Sequence, residues 1–170
     1  MKLVRPTQQY REQIMAYRTT FLNIGEQPYG ASSLRRFDDF NKWLMKVVYQ
    51  ENVNDLPQDT VPSSQFLSIV NGRLIGLINI RHRLTPDLLM NGGHIGYSIH
   101  PDERRKGYAI EQLRLGLIEA KNIGLEKVLV TCDKSNIASS KVIKKVGGIL
   151  ENEVISSDNN EIVQRYWIEI

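Results

Sequence analysis

Six consecutive residues, Arg104-Arg105-Lys106-Gly107-Tyr108-Ala109, form the part of this chain best suited to hold an anion. A strand is expected before them and a helix after them. That places their backbone N–H groups where the unpaired donors and the positive dipole end of a helix are directed. Gly107 lets backbone approach a ligand closely, the small Ala109 avoids a collision one exposed position later, and three cations raise the local potential. A pyrophosphate suits this chemistry. The segment is not a P-loop, because GxxxxGK followed by Ser or Thr is missing, nor a dinucleotide fingerprint, because the GxGxxG spacing is missing. The bland use of the same residues is a tight strand-to-helix turn with a solvated basic triplet.

The elements that must position this loop can be read from hydrophobic periodicity. Residues 2–5 form a short strand, and Pro6-Thr7 starts a helix running to about Asn23, with Thr7 as its expected N-cap. Tyr10, Ile14, Tyr17, Phe21 and Ile24 fall on one face of a 3.6-residue period and are expected to point inward. A polar stretch, 25–33, leads to a second amphipathic helix carrying Phe37, Phe40, Trp43, Leu44 and Val47, and a surface loop spans 51–62. The runs 65–70 and 74–80 flank Asn71-Gly72, whose tolerance of positive φ favours a hairpin. Strands follow at 93–100, 127–132, about 149–156 and 161–169, the last two flanking Asp158-Asn159-Asn160, with helices at 107–123 and 136–146. The expected order is β-α-α-β-β-β-α-β-α-β-β. It implies an α/β or α+β domain spanning residues 1–170, with a sheet of six to seven strands covered by helices.

Composition narrows the function classes. With 41% hydrophobic and 24% charged residues, the chain reads as an ordinary globular protein. No apolar run reaches the ~18 residues of a membrane span, and the first residues lack the apolar core of a secretory signal, so a cytoplasmic protein without a membrane partner is expected. The single cysteine, Cys132, excludes an internal disulfide and any CxxC zinc site, suits a reducing compartment, and reads as a small hydrophobe within its strand. A net charge of +3 is too mild to imply nucleic acid, and no aromatics interleave with basic residues as an RNA-binding sheet requires.

The loop and its surroundings resemble the GNAT superfamily of acetyl-CoA-dependent N-acetyltransferases. The hallmark Gln/Arg-x-x-Gly-x-Gly/Ala is matched by Arg104, Gly107 and Ala109. The preceding His94-Ile95-Gly96-Tyr97-Ser98-Ile99-His100-Pro101 resembles the family's central strand. Asn136, Ser139, Val142, Lys145 and Gly147 resemble its second cofactor segment. The match is sharp over residues 93–148 and loose elsewhere, and it is closest to a bacterial branch of predicted acetyltransferases.

This resemblance implies a GNAT-like, mostly antiparallel central sheet with about four helices, and acetyl-CoA as cosubstrate with no metal. The backbone of 105–109, including Lys106 and Tyr108, would cradle the pyrophosphate, with Arg104 supporting the loop or meeting a phosphate. Ile99 would offer main-chain groups to the pantetheine arm, and Asn136 and Ser139 would face the cofactor. His94 stands where several members carry a glutamate base, and a neutral imidazole titrating near ~6.5 suits that task. Its alternative is a hydrogen-bonded histidine beside Gly92-Gly93, with a water chain as base. The family's thiolate-protonating tyrosine is replaced by Ile143, which leaves Tyr108, Tyr166 or Ser139 as donors. The implied reaction is direct acetyl transfer to a primary amine of a small molecule or peptide, by a monomer or a homodimer. The alternative is an acyl-CoA-binding sensor or interaction module without turnover.

Overall fold

The computed structural model describes residues 1–52, 60–156 and 159–170. Strands β1 (Lys2–Val4), β2 (Ser63–Val70), β3 (Arg73–Arg81), β4 (Ile95–Ile99), β5 (Lys127–Asp133), β6 (Ile149–Ile155) and β7 (Ile162–Glu169) alternate with helices α1 (Arg11–Asn23), α2 (Phe40–Asn52), α3 (Tyr108–Asn122) and α4 (Ile137–Lys145) in the expected order. Most of the loop expected over 51–62, and Asp158 of the last turn, lie outside the described residues.

The expected single sheet is divided. One antiparallel sheet runs β1-β2-β3-β4 and the other runs β5-β7-β6. They meet at one point, where the His94 N–H donates to the Leu129 carbonyl at 2.7 Å and the Leu129 N–H donates to His94 Nδ1 at 2.9 Å. An imidazole nitrogen stands where a ladder would use a carbonyl, and no further ladder joins β4 to β5 among the described residues. Beyond this pin the two strands part, and among the described residues no strand pairs the facing edge of β4.

Pleat alternation builds a core on each side of the first sheet. Leu67 and Leu77 pack with Ile14, Phe21 and Trp43 of α1 and α2, whereas their neighbours Phe66 and Ile78 pack with Leu113 of α3 and with Ile143. The Asn71-Gly72 turn closes the β2–β3 hairpin as expected, with φ of 49° and 77° and Val70 opposite Arg73. Two local expectations fail. Thr7 makes no capping bond, because the chain enters α1 through a 3-10 turn at Gln8–Tyr10. Ile24 is 46% exposed, because it lies past the last turn of α1 and no longer follows the buried face.

Candidate active site

The loop after β4 is shaped by its backbone. A short turn, Pro101–Glu103, follows β4, and then Arg105 and Gly107 take left-handed φ of 62° and 83°, with Gly107 as the N-cap of α3. Nothing stands within 4 Å of the place a Gly107 side chain would occupy, so this face is open. The N–H groups of Tyr108 and Ala109 precede the first intrahelical acceptor and point out of the helix start. This is an anion cradle made of main chain.

Its cations are largely spent within the protein. Arg104 forks onto Glu26 at 3.1 and 2.5 Å, and its Nε donates to the Ile99 carbonyl at 3.3 Å. The hydrogen bond from Arg104 holds the Glu26 carboxyl below the usual carboxylate range, and the same bond raises the guanidinium. Lys106 Nζ lies 2.9 Å from Glu103, which also faces Arg73 at 3.2 Å. Arg104 therefore supports the loop by tying it to β4 and to the α1–α2 connection.

A cleft of about 620 Å³ opens beside this loop. Ile99, Arg104, Arg105, Gly107, Tyr108 and Ala109 line one wall, and Asn136 and Ser139 line the other. The sequence-predicted residues are thus brought together, except Lys106 and His94, which do not line the cleft. Asn136 caps α4 through its Oδ1, which accepts from the Ser139 N–H at 3.0 Å, while its amide NH₂ takes no part in that cap.

Where the cleft meets the next cavity the Tyr97 and Ser139 hydroxyls are 2.9 Å apart, and Cys132 lines that cavity with them. Burial pushes the Tyr97 phenol up to about 12 and the Cys132 thiol up to about 11, so both keep their protons at neutral pH. Tyr97 was missed in the sequence, although strand alternation puts it on the same face as Ile99. The cleft continues past Tyr29, Tyr97, Asn136 and Ser139 into a cavity of about 220 Å³ that also touches Cys132, Asp133 and Arg81. That cavity in turn shares Tyr29, Gly30 and Arg81 with a third, of about 660 Å³, formed by the 25–36 loop, α2 and β2–β3. Gly30 crosses β4 so closely that a Cβ would stand 2.1 Å from the Gly96 carbonyl oxygen. Ser98 Oγ fixes the crossing by donating to the Tyr29 carbonyl at 2.6 Å.

His94, expected as the base, has its ring engaged within the fold. Its Nδ1 lone pair is occupied by the Leu129 N–H, so in the neutral ring Nε2 carries the hydrogen and no nitrogen is left to accept a proton. The ring is 7% exposed and lies edge-on to Trp167 at 6.2 Å. Burial, and then the Arg81 charge, lower its pKa from 6.5 to about 4. His94 holds the apex of the β4–β5 splay. Of the other histidines, His82 Nε2 is 2.9 Å from Ser64 Oγ, and His100 Nδ1 accepts from the Asp102 N–H at 3.3 Å. Tyr166, fully buried, bonds Ser140 and Gln164, and Ile143 is core. Among the described residues no group of three or more His, Cys, Asp or Glu could hold a metal, and no helix is long and apolar enough to cross a membrane.

The family model described as an acetyltransferase (GNAT) domain matches residues 11–149, which include the cradle, the splay and the Tyr97–Ser139 pair. The chain belongs to the GNAT acetyltransferase family. It is therefore an acyltransferase, and the cleft described above occupies the matched region of a GNAT domain. Solved structures share the GNAT fold along nearly the whole chain. The acetyl transferase from Salmonella typhimurium that modifies the N-terminal serine of a 50S ribosomal subunit protein superposes with a TM-score of 0.69 at 14% identity, covering 99% of this chain and 94% of that one. The spermidine N-acetyltransferase SpeG from Vibrio cholerae gives 0.67 at 15%, covering 99% and 95%. RimJ of Mycobacterium smegmatis, in complex with CoA-disulfide, gives 0.71 at 15%, covering 98% and 80%. No curated protein sequence matches the chain.

Proposed function

We propose that this GNAT protein transfers the acetyl group of acetyl-CoA directly to a primary amine. The observation that carries the reading is the continuity of the cleft, which runs from the main-chain cradle at 105–109 to the paired hydroxyls of Tyr97 and Ser139. Phosphate oxygens accept from the cradle N–H groups, and the edge of β4 that no strand pairs offers main-chain groups near Tyr97 and Ile99, whose carbonyl Arg104 already engages, to an amide-bearing arm. The Ser139 hydroxyl, backed by Tyr97, donates to the departing thiolate. A coenzyme A thiol of pKa near ~8.5 asks little of that donor.

The acceptor must arrive as, or become, a neutral amine, and a lysine-like ammonium has a pKa near ~10.4. With His94 committed to Leu129, the proton leaves through water in the small cavity, where the Asp133 carboxylate attracts the ammonium. The acceptors of two neighbours, spermidine and an N-terminal serine, both present primary amines. A reducing, cytoplasmic setting suits the unpaired Cys132.

Thiol release from acetyl-CoA, followed with a panel of primary amines, tests this reading. Steady release that depends on the amine is expected. Tight acetyl-CoA binding without amine-dependent release would instead make the protein a binding module, and absence of binding would remove the cofactor assignment.

A further inference from the structure

Most charged side chains near the cofactor cleft are matched. Arg104 has Glu26, Lys106 and Arg73 share Glu103, and farther off Arg165 has Glu151 and Lys134 has Glu153. The 660 Å³ cavity is built differently. Among the described residues Arg35, Arg36, Lys46 and Arg81 line it, no carboxylate lines it, and none of the four forms an ion pair within 4 Å, the Asp87 charge reaching Arg81 only from farther off. Like charges gathered in a concave, partly dehydrated space repel one another.

The cavity is also held in shape. Ser32 and Ser33 are consecutive left-handed residues, with φ of 48° and 61°, a conformation that persists only where its surroundings enforce it. Here Ser32 Oγ donates to Gln65 Oε1 at 2.6 Å and accepts from Asn79 Nδ2 at 3.1 Å, and its carbonyl accepts from Lys46 Nζ at 3.0 Å. Gln65 and Asn79 are buried amides on β2 and β3, so the sheet itself fixes the loop that carries Arg35 and Arg36. Arg81 is oriented by Nη1, which donates to the carbonyls of Gly92 and Gly93 at 3.0 and 2.8 Å, and those bonds do not use its Nε or Nη2. The Lys46 ammonium is held below its ordinary pKa by burial and then by the Arg36 charge, so a bound anion would relieve it.

We infer that the acceptor of this enzyme is an amine bearing an anionic group, a carboxylate or a phosphate, which Arg35, Arg36, Lys46 and Arg81 receive while the amine reaches the small cavity beside Ser139. The inference rests on the acetyltransferase reading and names its substrate class. The geometry supports the direction of entry: Arg81 lines both cavities and joins them, Asp133 lines the small one at the amine end, and Arg35, Arg36 and Lys46 line only the far one. The opposed charges orient an acceptor that is positive at one end and negative at the other, and the cations repel a second ammonium.

Three-carbon and two-carbon amine sets test this. β-Alanine is compared with 3-aminopropanamide and 1,3-diaminopropane, and O-phosphoethanolamine with ethanolamine. Both kcat/KM in thiol release and affinity by calorimetry, on the protein saturated with coenzyme A and on the protein alone, are measured. Each anionic amine is expected to exceed its neutral partner by roughly tenfold or more, with the diamine weakest, and the larger of the two gains identifies carboxylate or phosphate as the natural group. The double substitution Arg36→Ala/Lys46→Ala should bring the anionic-to-neutral ratio close to one while acetyl-CoA binding, which reports an intact fold, persists. Equal or better handling of the diamine, or a ratio unchanged by the double substitution, overturns the inference. Turnover with that reversed preference leaves the acetyltransferase reading standing. Failure to bind acetyl-CoA removes that reading and with it the substrate assignment, while anion selectivity on the protein alone would still report the cavity's charge.

Discussion

The two large openings of this molecule treat anions in opposite ways. Along the cofactor cleft Arg104 is neutralised by Glu26, Lys106 beside it is turned to Glu103, Arg105 alone of the loop's three cations lines the wall without an ion pair among the described residues, and main chain faces the cleft at the start of α3. In the cavity beyond Tyr29, four cationic side chains have no carboxylate partner among the described residues. Backbone donors are rigid and independent of side-chain identity, which suits a ligand group that never changes. Side-chain charge can be rewritten by substitution, which suits the variable partner. The same fold thus holds a fixed recognition surface and an adjustable one on either side of Ser139.

The largest expected effect lies where the two regions meet. Ser139→Ala removes the hydroxyl shared with Tyr97, and kcat should fall on the order of 10²-fold with acetyl-CoA affinity nearly unchanged. Single-turnover thiol release against calorimetric binding separates the two quantities, and an unaltered kcat would place the reaction elsewhere and dissolve the boundary. Next comes Gly107→Glu, which sets a carboxylate on the cradle in a left-handed position that disfavours side chains by about 1–2 kcal/mol. Acetyl-CoA affinity should drop roughly tenfold or more, whereas Lys106→Ala should change it by only about twofold or less. A large loss in Lys106→Ala would mean that side-chain charge governs both openings.

His94→Ala tests the hinge between the regions. It orphans the buried Leu129 N–H, and stability should fall by about 1–3 kcal/mol, measured by urea denaturation. Folding depresses the His94 pKa from 6.5 to about 4, so the contribution of the neutral ring is fully present above about pH 6.5 and is lost as pH falls through about 4. Wild-type stability should decline across that window, and the variant should decline less steeply. The pH dependence of kcat should carry no His94 limb near 6 to 7, and one that vanished in His94→Ala would restore the imidazole as a base. The smallest effect belongs to Glu26→Gln. An exposed fork of this kind contributes up to about 1 kcal/mol, and loosening Arg104 should weaken acetyl-CoA binding only about two- to threefold.

The order of elements and the cradle were legible because both depend on near neighbours. The 3.6 and 2.0 periods sort residues between faces, and a glycine before an amphipathic run announces a helix start. The engagement of His94 was not legible because its neighbours in sequence, a glycine pair and a strand, say nothing of Leu129, 35 residues away, whose N–H claims the ring. Ser139 was not legible as the partner of Tyr97, because a separation of 42 residues is bridged only when α4 docks beside β4.

By itself the sequence determined the chain of strands and helices, the backbone cradle at the start of α3 and the family pattern running from His94 to Gly147, all consequences of local sterics and periodic burial. The tertiary structure decided where the sheet divides, which protons are free to move and which cations go unpaired. Arg35, Arg36, Lys46 and Arg81 are scattered over 47 residues and look like any solvated charges until the loop, α2 and β3 fold around one space. Charge in a protein acts through distance and burial, and neither is written in the order of residues.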